Sequence, residues 1–252
     1  MIGIFDSGSG GLTVLKAVRE EMPSADIMYF GDIQNAPYGE KSREELSALT
    51  VSAMERLIAR GATSIISACN SVSASLSLSL LDACEFPQGH LIEMVGPTVS
   101  LFRGTNHRIV VAATNATIKS GIYQDAFRMI GVEARMLPIP RLAPALEGGA
   151  QEATLEAIVR EAVSNLAPED TSALVLACTH YPLVSPLFRR YTDKAILIVD
   201  PSEAVAERVL KTLWPKEVGN GSLSFIISKD SEVFRSRVKA LFPESAGIIE
   251  VV

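Results

Sequence analysis

A short phrase occurs twice in this chain. Ser64-Ile65-Ile66-Ser67 leads into Ala68-Cys69-Asn70-Ser71, and Ala173-Leu174-Val175-Leu176 leads into Ala177-Cys178-Thr179-His180. A short apolar run bounded by polar residues has the form of a strand buried on both faces. Each phrase therefore sets a thiol where a strand ends and a loop begins, the edge at which open α/β sheets gather their chemistry. The echo extends upstream: Ile2-Gly3-Ile4-Phe5 runs into Asp6-Ser7-Gly8, and Ile109-Val110-Val111-Ala112-Ala113 runs into Thr114-Asn115-Ala116-Thr117. Cys69 follows Asp6 at the same spacing, to within one residue, as Cys178 follows Thr114. Two phrases at one spacing point to two similar halves in register, from an old duplication or from two like lobes facing each other.

Strand and helix signals alternate along the whole chain. Strands are expected at 2–5, 27–30, 63–68, 108–113, 134–137, 173–177, 195–199, 223–227 and 247–251. Helices are expected at 11–22, 42–60, 72–81, 119–130, 155–165, 183–191, 202–214 and 231–241, with 142–149 read as a loop region. Leu12, Leu15, Val18 and Met22 form one face of the first helix, which Pro23 stops. Ser42 with Glu45 three residues on is a capping box opening the second. Such alternation implies an α/β fold with mostly parallel sheets flanked by helices. With 252 residues and 48% apolar content, the chain can build one large core or two smaller ones.

The formal charge of −6 argues against a nucleic-acid partner, which would want a basic face. No apolar run reaches the length of a membrane span, and no signal-peptide pattern opens the chain, so a cytoplasmic protein with no membrane partner is expected. Cys69, Cys84 and Cys178 are odd in number and widely spaced, unlike a disulfide framework. No Cys-x-x-Cys pair or zinc-spaced Cys/His cluster occurs, and His90, His107 and His180 are scattered, so no metal site is expected.

Phe5-Asp6-Ser7-Gly8-Ser9-Gly10-Gly11-Leu12 is a strand end, a glycine loop and a helix start. The dinucleotide pattern fails at Thr13, where it needs glycine, and no Gly-Lys-Ser/Thr follows for a P-loop. Two readings survive: a tight turn, or a loop whose backbone meets an anion, carboxylate as readily as phosphate, beside a helix N-terminus. Asp6, at the end of a buried strand, either caps a helix or is functional. A lone strand cysteine is ordinarily a small buried apolar residue. Cys69 and Cys178 are instead followed by Asn70-Ser71 and Thr179-His180, donors suited to a ligand carboxylate; Cys84 lacks such followers and reads as structural. A lone histidine is more often a surface or capping residue, but beside Cys178 His180 is placed to tune the thiol or carry a proton. A thiol titrates at about 8.5, so both its forms are accessible. Thiols on opposite faces of one carbon suit proton removal from one side and delivery from the other, the symmetry that racemisation needs and hydrolysis does not.

Together, Phe5-Asp6-Ser7-Gly8-x-Gly10-Gly11-Leu12, Pro37-Tyr38-Gly39-x-Lys41-Ser42, Ala68-Cys69-Asn70, Cys178-Thr179-His180-Tyr181-Pro182 and the closing Val199-Asp200-Pro201-Ser202-Glu203-Ala204 resemble the glutamate racemases of the cofactor-independent aspartate/glutamate racemase superfamily. The resemblance covers nearly the whole chain, including Glu147 in Leu142-Ala143-Pro144-Ala145-Leu146-Glu147-Gly148. It implies two pseudo-twofold α/β lobes, 1–94 plus 205–252 and 95–204, with the active site in the cleft between them. Cys69 and Cys178 would be the acid/base thiols for D- and L-glutamate, assisted by Asp6 and His180 respectively. Asp6, Ser7, Tyr38, Gly39, Asn70, Ser71, Thr114, Thr117, Thr179 and His180 would hold the substrate, with Asp32 and Glu147 as further acids of the site region. No pyridoxal phosphate or other cofactor is implied. The product would serve bacterial peptidoglycan synthesis and cell shape, and the protein would be a homodimer.

Three departures accompany the resemblance. Ser71 stands where the family usually has threonine, keeping the hydroxyl and losing a methyl. Ala177 replaces the usual glycine before the second cysteine, adding a methyl beside the thiol. The chain also starts almost at its first strand, so regulation by a cell-wall precursor through an N-terminal extension is not expected. The alternatives are racemisation of aspartate, a hydantoin or another small amino acid, a single-thiol decarboxylase or isomerase on the same fold, and a non-catalytic binding module or redox pair. The last would require a Cys69–Cys178 disulfide, which opposed thiols flanking a substrate are too far apart to form.

Overall fold

Residues 1–73, 89–245 and 249–252 are described by the computed structural model. The first stretch comprises β1 (Ile2–Asp6), α1 (Leu12–Glu21), β2 (Ile27–Gly31), α2 (Arg43–Ala59), β3 (Ser64–Ser67), α3 (Asn70–Ser73), β4 (Leu91–Ile92) and α4 (Val95–Ser100). The second comprises β5 (Ile109–Ala113), α5 (Asn115–Ser120), α6 (Ile122–Met129), β6 (Ala134–Pro138), α7 (Leu142–Glu147), α8 (Glu152–Val163), β7 (Ala173–Ala177), α9 (Ser185–Tyr191) and β8 (Leu197–Val199). The chain then adds α10 (Pro201–Leu213), β9 (Leu223–Ile227), α11 (Glu232–Leu241) and β10 (Ile249–Val251).

The strands form two parallel sheets, ordered β10-β9-β2-β1-β3-β4 and β6-β5-β7-β8. The order β2-β1-β3-β4 thus recurs as β6-β5-β7-β8, which gives the repeated phrase a topological basis. β9 and β10 extend only the first sheet, beyond β2.

β1, β5 and β7 are buried along their whole length, so alternate residues feed cores on opposite faces. Ile2 and Ile4 pack with Leu15 and Val18 of α1 and Val205 and Val209 of α10, whereas Phe5 and Ile65 pack with Met54 and Leu57 of α2. In the second sheet Val110 and Leu174 meet Val159 and Phe188, while Val111 and Val175 meet Tyr123 and Phe127. In each sheet the chain turns one way from the central strand and later the other, leaving a crevice at the carboxyl ends of two neighbouring strands. In the first sheet those strands are β1 and β3, which end before Ser7 and Cys69; in the second they are β5 and β7, which end before Thr114 and Cys178.

Several local expectations are corrected. Residues 142–149, read as a loop, contain α7. Pro144 is its third residue, where the backbone N–H has no partner within the helix, so proline sacrifices no hydrogen bond there. The single helix expected over 119–130 is two, α5 and α6, because Gly121 adopts φ 75° between them. A 3₁₀ turn, Tyr181–Val184, precedes α9. β4 and α4 were not expected. Beyond Ser73, the helix expected over 72–81 lies outside the described residues, as does Cys84. Among the described residues no helix is long and apolar enough to cross a membrane.

Candidate active site

Both strand-end thiols open onto one cleft between the two sheets. Its walls include Ser7, Tyr38, Gly39, Cys69, Asn70 and Ser71 from the first half and Thr114, Glu147, Cys178, Thr179 and His180 from the second. Cys69 is 5% and Cys178 6% exposed, and neither is in a disulfide.

The thiols have unlike partners. Cys69 Sγ donates to Ser7 Oγ over 3.8 Å. Cys178 Sγ lies 3.8 Å from His180 Nδ1, and His180 Nε2 lies 2.5 Å from Glu147 Oε1. An ionised carboxylate only accepts, so Nε2 carries a proton and Nδ1 faces the sulfur. The same Glu147 oxygen accepts from the backbone N–H and the hydroxyl of Ser9, both at 2.6 Å. A chain of contacts therefore runs from Cys178 through His180 and Glu147 into the glycine loop of the other lobe.

Electrostatics separates the thiols further. Burial, reinforced by the charges of Asp6 and Cys178, pushes the Cys69 thiol up to about 12 against the Val72 N–H and the Ser7 hydroxyl. Burial alone would depress His180, yet hydrogen bonds to Cys178 and Glu147, with their charges, hold it at about 10. Burial likewise opposes ionisation of Glu147, but the hydrogen bond and charge of His180 and the donors of Ser9 keep it at about 2. Burial thus favours the thiol form of Cys69, while Cys178 faces an imidazole biased toward the imidazolium.

The glycine loop makes room for these groups. A Cβ on Gly8 would lie 2.4 Å from Glu147 Oε1, and one on Gly10 would lie 2.5 Å from His180 Nδ1 and 2.6 Å from Thr179 Oγ1. The anion expected at this loop is therefore the protein's own Glu147 carboxylate.

Asp6, Asp32 and Thr117 stand behind the walls. Asp6 is fully buried, accepts from Gly8 N at 2.8 Å and Thr179 Oγ1 at 3.0 Å, and is raised above its ordinary range by burial. Among the described residues no side chain caps α1, whose N-cap is Gly11; Asp6 instead holds the Gly8 N–H of the loop and the Thr179 hydroxyl. Asp32 accepts from Tyr38 at 2.6 Å and Ser228 at 2.7 Å, anchoring the tyrosine whose ring forms part of the wall. Burial and Asp32 both raise the Tyr38 phenol. Thr117 Oγ1 lies 3.1 Å from Thr114 Oγ1 and 3.4 Å from Ser71 Oγ, and Ser71 and Thr114 are 3.0 Å apart. Thr114 is also the N-cap of α5.

Asn70 is 2% exposed. Its Oδ1 accepts from Tyr123 OH at 2.6 Å, and its Nδ2 has no partner among the described residues. A buried unpaired donor at a cleft wall is costly unless a ligand acceptor meets it.

Sequence reasoning missed Ser9, Tyr123 and Arg237. The guanidinium of Arg237 donates to Ser9 Oγ and to the Leu146 carbonyl. A signal for it exists: Arg237 stands three residues after Phe234, on the apolar helical stripe that continues at Val238 and Leu241.

Comparison with known proteins places this geometry in context. Residues 12–209 match the family model described as Asp/Glu/hydantoin racemase. The glutamate racemase of Aquifex aeolicus is 34% identical over 243 residues, 96% of this chain and 94% of that protein. The fold superposes on a glutamate racemase isoform from Bacillus anthracis with TM-score 0.89 at 26% identity, covering 100% of this chain and 97% of the other. It superposes on the glutamate racemase of Francisella tularensis in complex with D-glutamate with TM-score 0.88 at 28% identity, covering 100% and 96%.

Proposed function

Since the chain belongs to the Asp/Glu/hydantoin racemase family, we propose that it interconverts L- and D-glutamate by two-thiol acid/base chemistry without a cofactor. One observation carries the reading. Two buried free thiols, one from each of two topologically equivalent strand ends, wall a single cleft.

With L-glutamate bound, Cys178 as thiolate takes the α-proton and Cys69 as thiol delivers one from the opposite face. The reverse reaction exchanges the roles. The imidazolium of His180 stabilises the Cys178 thiolate, and Glu147 holds the ring in place. Ser7, Tyr38, Gly39, Asn70, Ser71, Thr114 and Thr179 hold the carboxylates and ammonium, with Asn70 Nδ2 taking a carboxylate oxygen. Asp6, Asp32 and Thr117 act from behind by fixing Thr179, Tyr38 and Thr114. In this reading the lobes divide as 1–94 plus 205–252 and 95–204. The protein works as a cytoplasmic homodimer, and its D-glutamate enters peptidoglycan.

Incubation with either enantiomer in heavy water, without added cofactor, tests this reading. Deuterium should enter the α-carbon while optical rotation decays, and Cys69→Ala and Cys178→Ala should each lower racemisation by about a thousandfold or more. No uptake from either enantiomer sinks the glutamate assignment. Full activity in either alanine variant sinks the two-thiol mechanism.

A further inference from the structure

Arg237 reaches the site from α11, the helix that follows β9 of the first sheet. Its side chain is 17% exposed. One nitrogen, Nη1, donates to Ser9 Oγ and lies 3.8 Å from Glu147 Oε1; the other, Nη2, donates to the Leu146 carbonyl at 2.7 Å. The Leu146 carbonyl, in the last turn of α7, also accepts from Gly149 N at 3.2 Å, so the guanidinium adds a first-lobe donor to the end of a second-lobe helix. The planar fork suits this double engagement in a way an ammonium cannot match.

These contacts converge on Glu147 Oε1, which takes both Ser9 donors and His180 Nε2. During turnover the charge near Cys178 changes as the thiol gains or loses its proton. Arg237 is a permanent cation and does not change. It keeps the Glu147 carboxylate seated on the Ser9 loop in either state, so that the imidazole stays aimed at Cys178.

We propose that Arg237 is a positioning residue for the Cys178 half-reaction, locking Glu147 between Ser9 and His180 across the two lobes. The proposal rests on the two-thiol racemase reading.

The test uses the full chain with both α-deuterated enantiomers. Glutamate enantiomers have equal free energy in water, so kcat/KM must stay equal in the two directions for every variant. A defect confined to one thiol appears instead in isotope effects. Breaking the C–D bond of L-glutamate reports the Cys178 step, and breaking that of D-glutamate reports the Cys69 step. Arg237→Met should lower kcat/KM by about tenfold or more. The isotope effect from the L substrate should rise and that from the D substrate should fall. Arg237→Lys, which keeps the charge but cannot span Ser9 and Leu146 together, should recover part of the rate and move both isotope effects back toward wild type. Should Arg237→Met not fold, Arg237→Lys alone must still show a smaller shift of the same sign. Isotope effects unmoved in the variants, or kcat/KM within twofold of wild type, overturn the proposal while leaving the racemase reading intact. A wild-type chain with no α-deuterium uptake overturns that reading, and this proposal with it.

Discussion

Buried His180 and half-buried Glu147 form a pair whose two members titrate on opposite sides of neutrality. The histidine is raised from 6.5 to about 10, so its contribution to stability is complete below 6.5 and is lost as pH rises through about 10. The carboxyl is lowered from 4.5 to about 2, so its contribution is complete above 4.5 and is lost as pH falls toward 2. The pair therefore supports the fold fully only between pH 4.5 and 6.5. Glu147→Gln removes the anion, and its melting-temperature deficit relative to wild type should be widest in that window and shrink from pH 6.5 to 10. Melting curves across that range check it, and a deficit constant with pH contradicts the coupling. Cys69 and Cys178 were legible as a pair because polar residues interrupt both apolar strands. Their inequality was partly legible, since only Cys178 has a histidine two residues on. The rest was hidden because Glu147, which holds that histidine, lies far off in sequence and enters only when α7 meets the Ser9 loop.

α2 shows how local chemistry fixes an element and, through it, the cleft. Ser42 Oγ accepts from Glu45 N at 3.2 Å, and Glu45 Oε2 accepts from Ser42 N at 2.9 Å. The capping box sets where the chain leaves the turn carrying Tyr38 and Gly39 and enters the helix. Ser42→Ala should cost about 1 kcal/mol of stability, read as a lower urea midpoint at unchanged slope. Elements with such markers were read correctly from sequence, as were the fully apolar strands. The misread ones share a physical cause. Pro144 reads as a breaker but sits where a helix tolerates it, and Gly121 divides a helix whose apolar pattern runs on through it. Arg237 lies on a helix whose existence was clear, but a half-buried charge beside a core-facing position finds its partners only in the folded molecule.

The whole molecule places each half's donors in the service of the other. Tyr123, from α6, fixes the carboxamide of Asn70, and Thr114, from the start of α5, meets Ser71. Tyr123→Phe frees the amide to rotate. Losing that orientation should raise KM for glutamate by about two- to tenfold with a smaller change in kcat, the scale of one neutral hydrogen bond. Steady-state kinetics in both directions check this, and an unchanged KM removes Tyr123 from substrate positioning. The sheet order has a mechanical consequence. β1 and β10 belong to one sheet, with β2 and β9 between them. Tension applied between residues 1 and 252 shears that sheet and bypasses the one bearing Cys178. A pull on residues 1 and 252 therefore loads the sheet that leads to Cys69 directly, and the other half feels it only through two crossings of the chain and the hydrogen bonds that span the cleft.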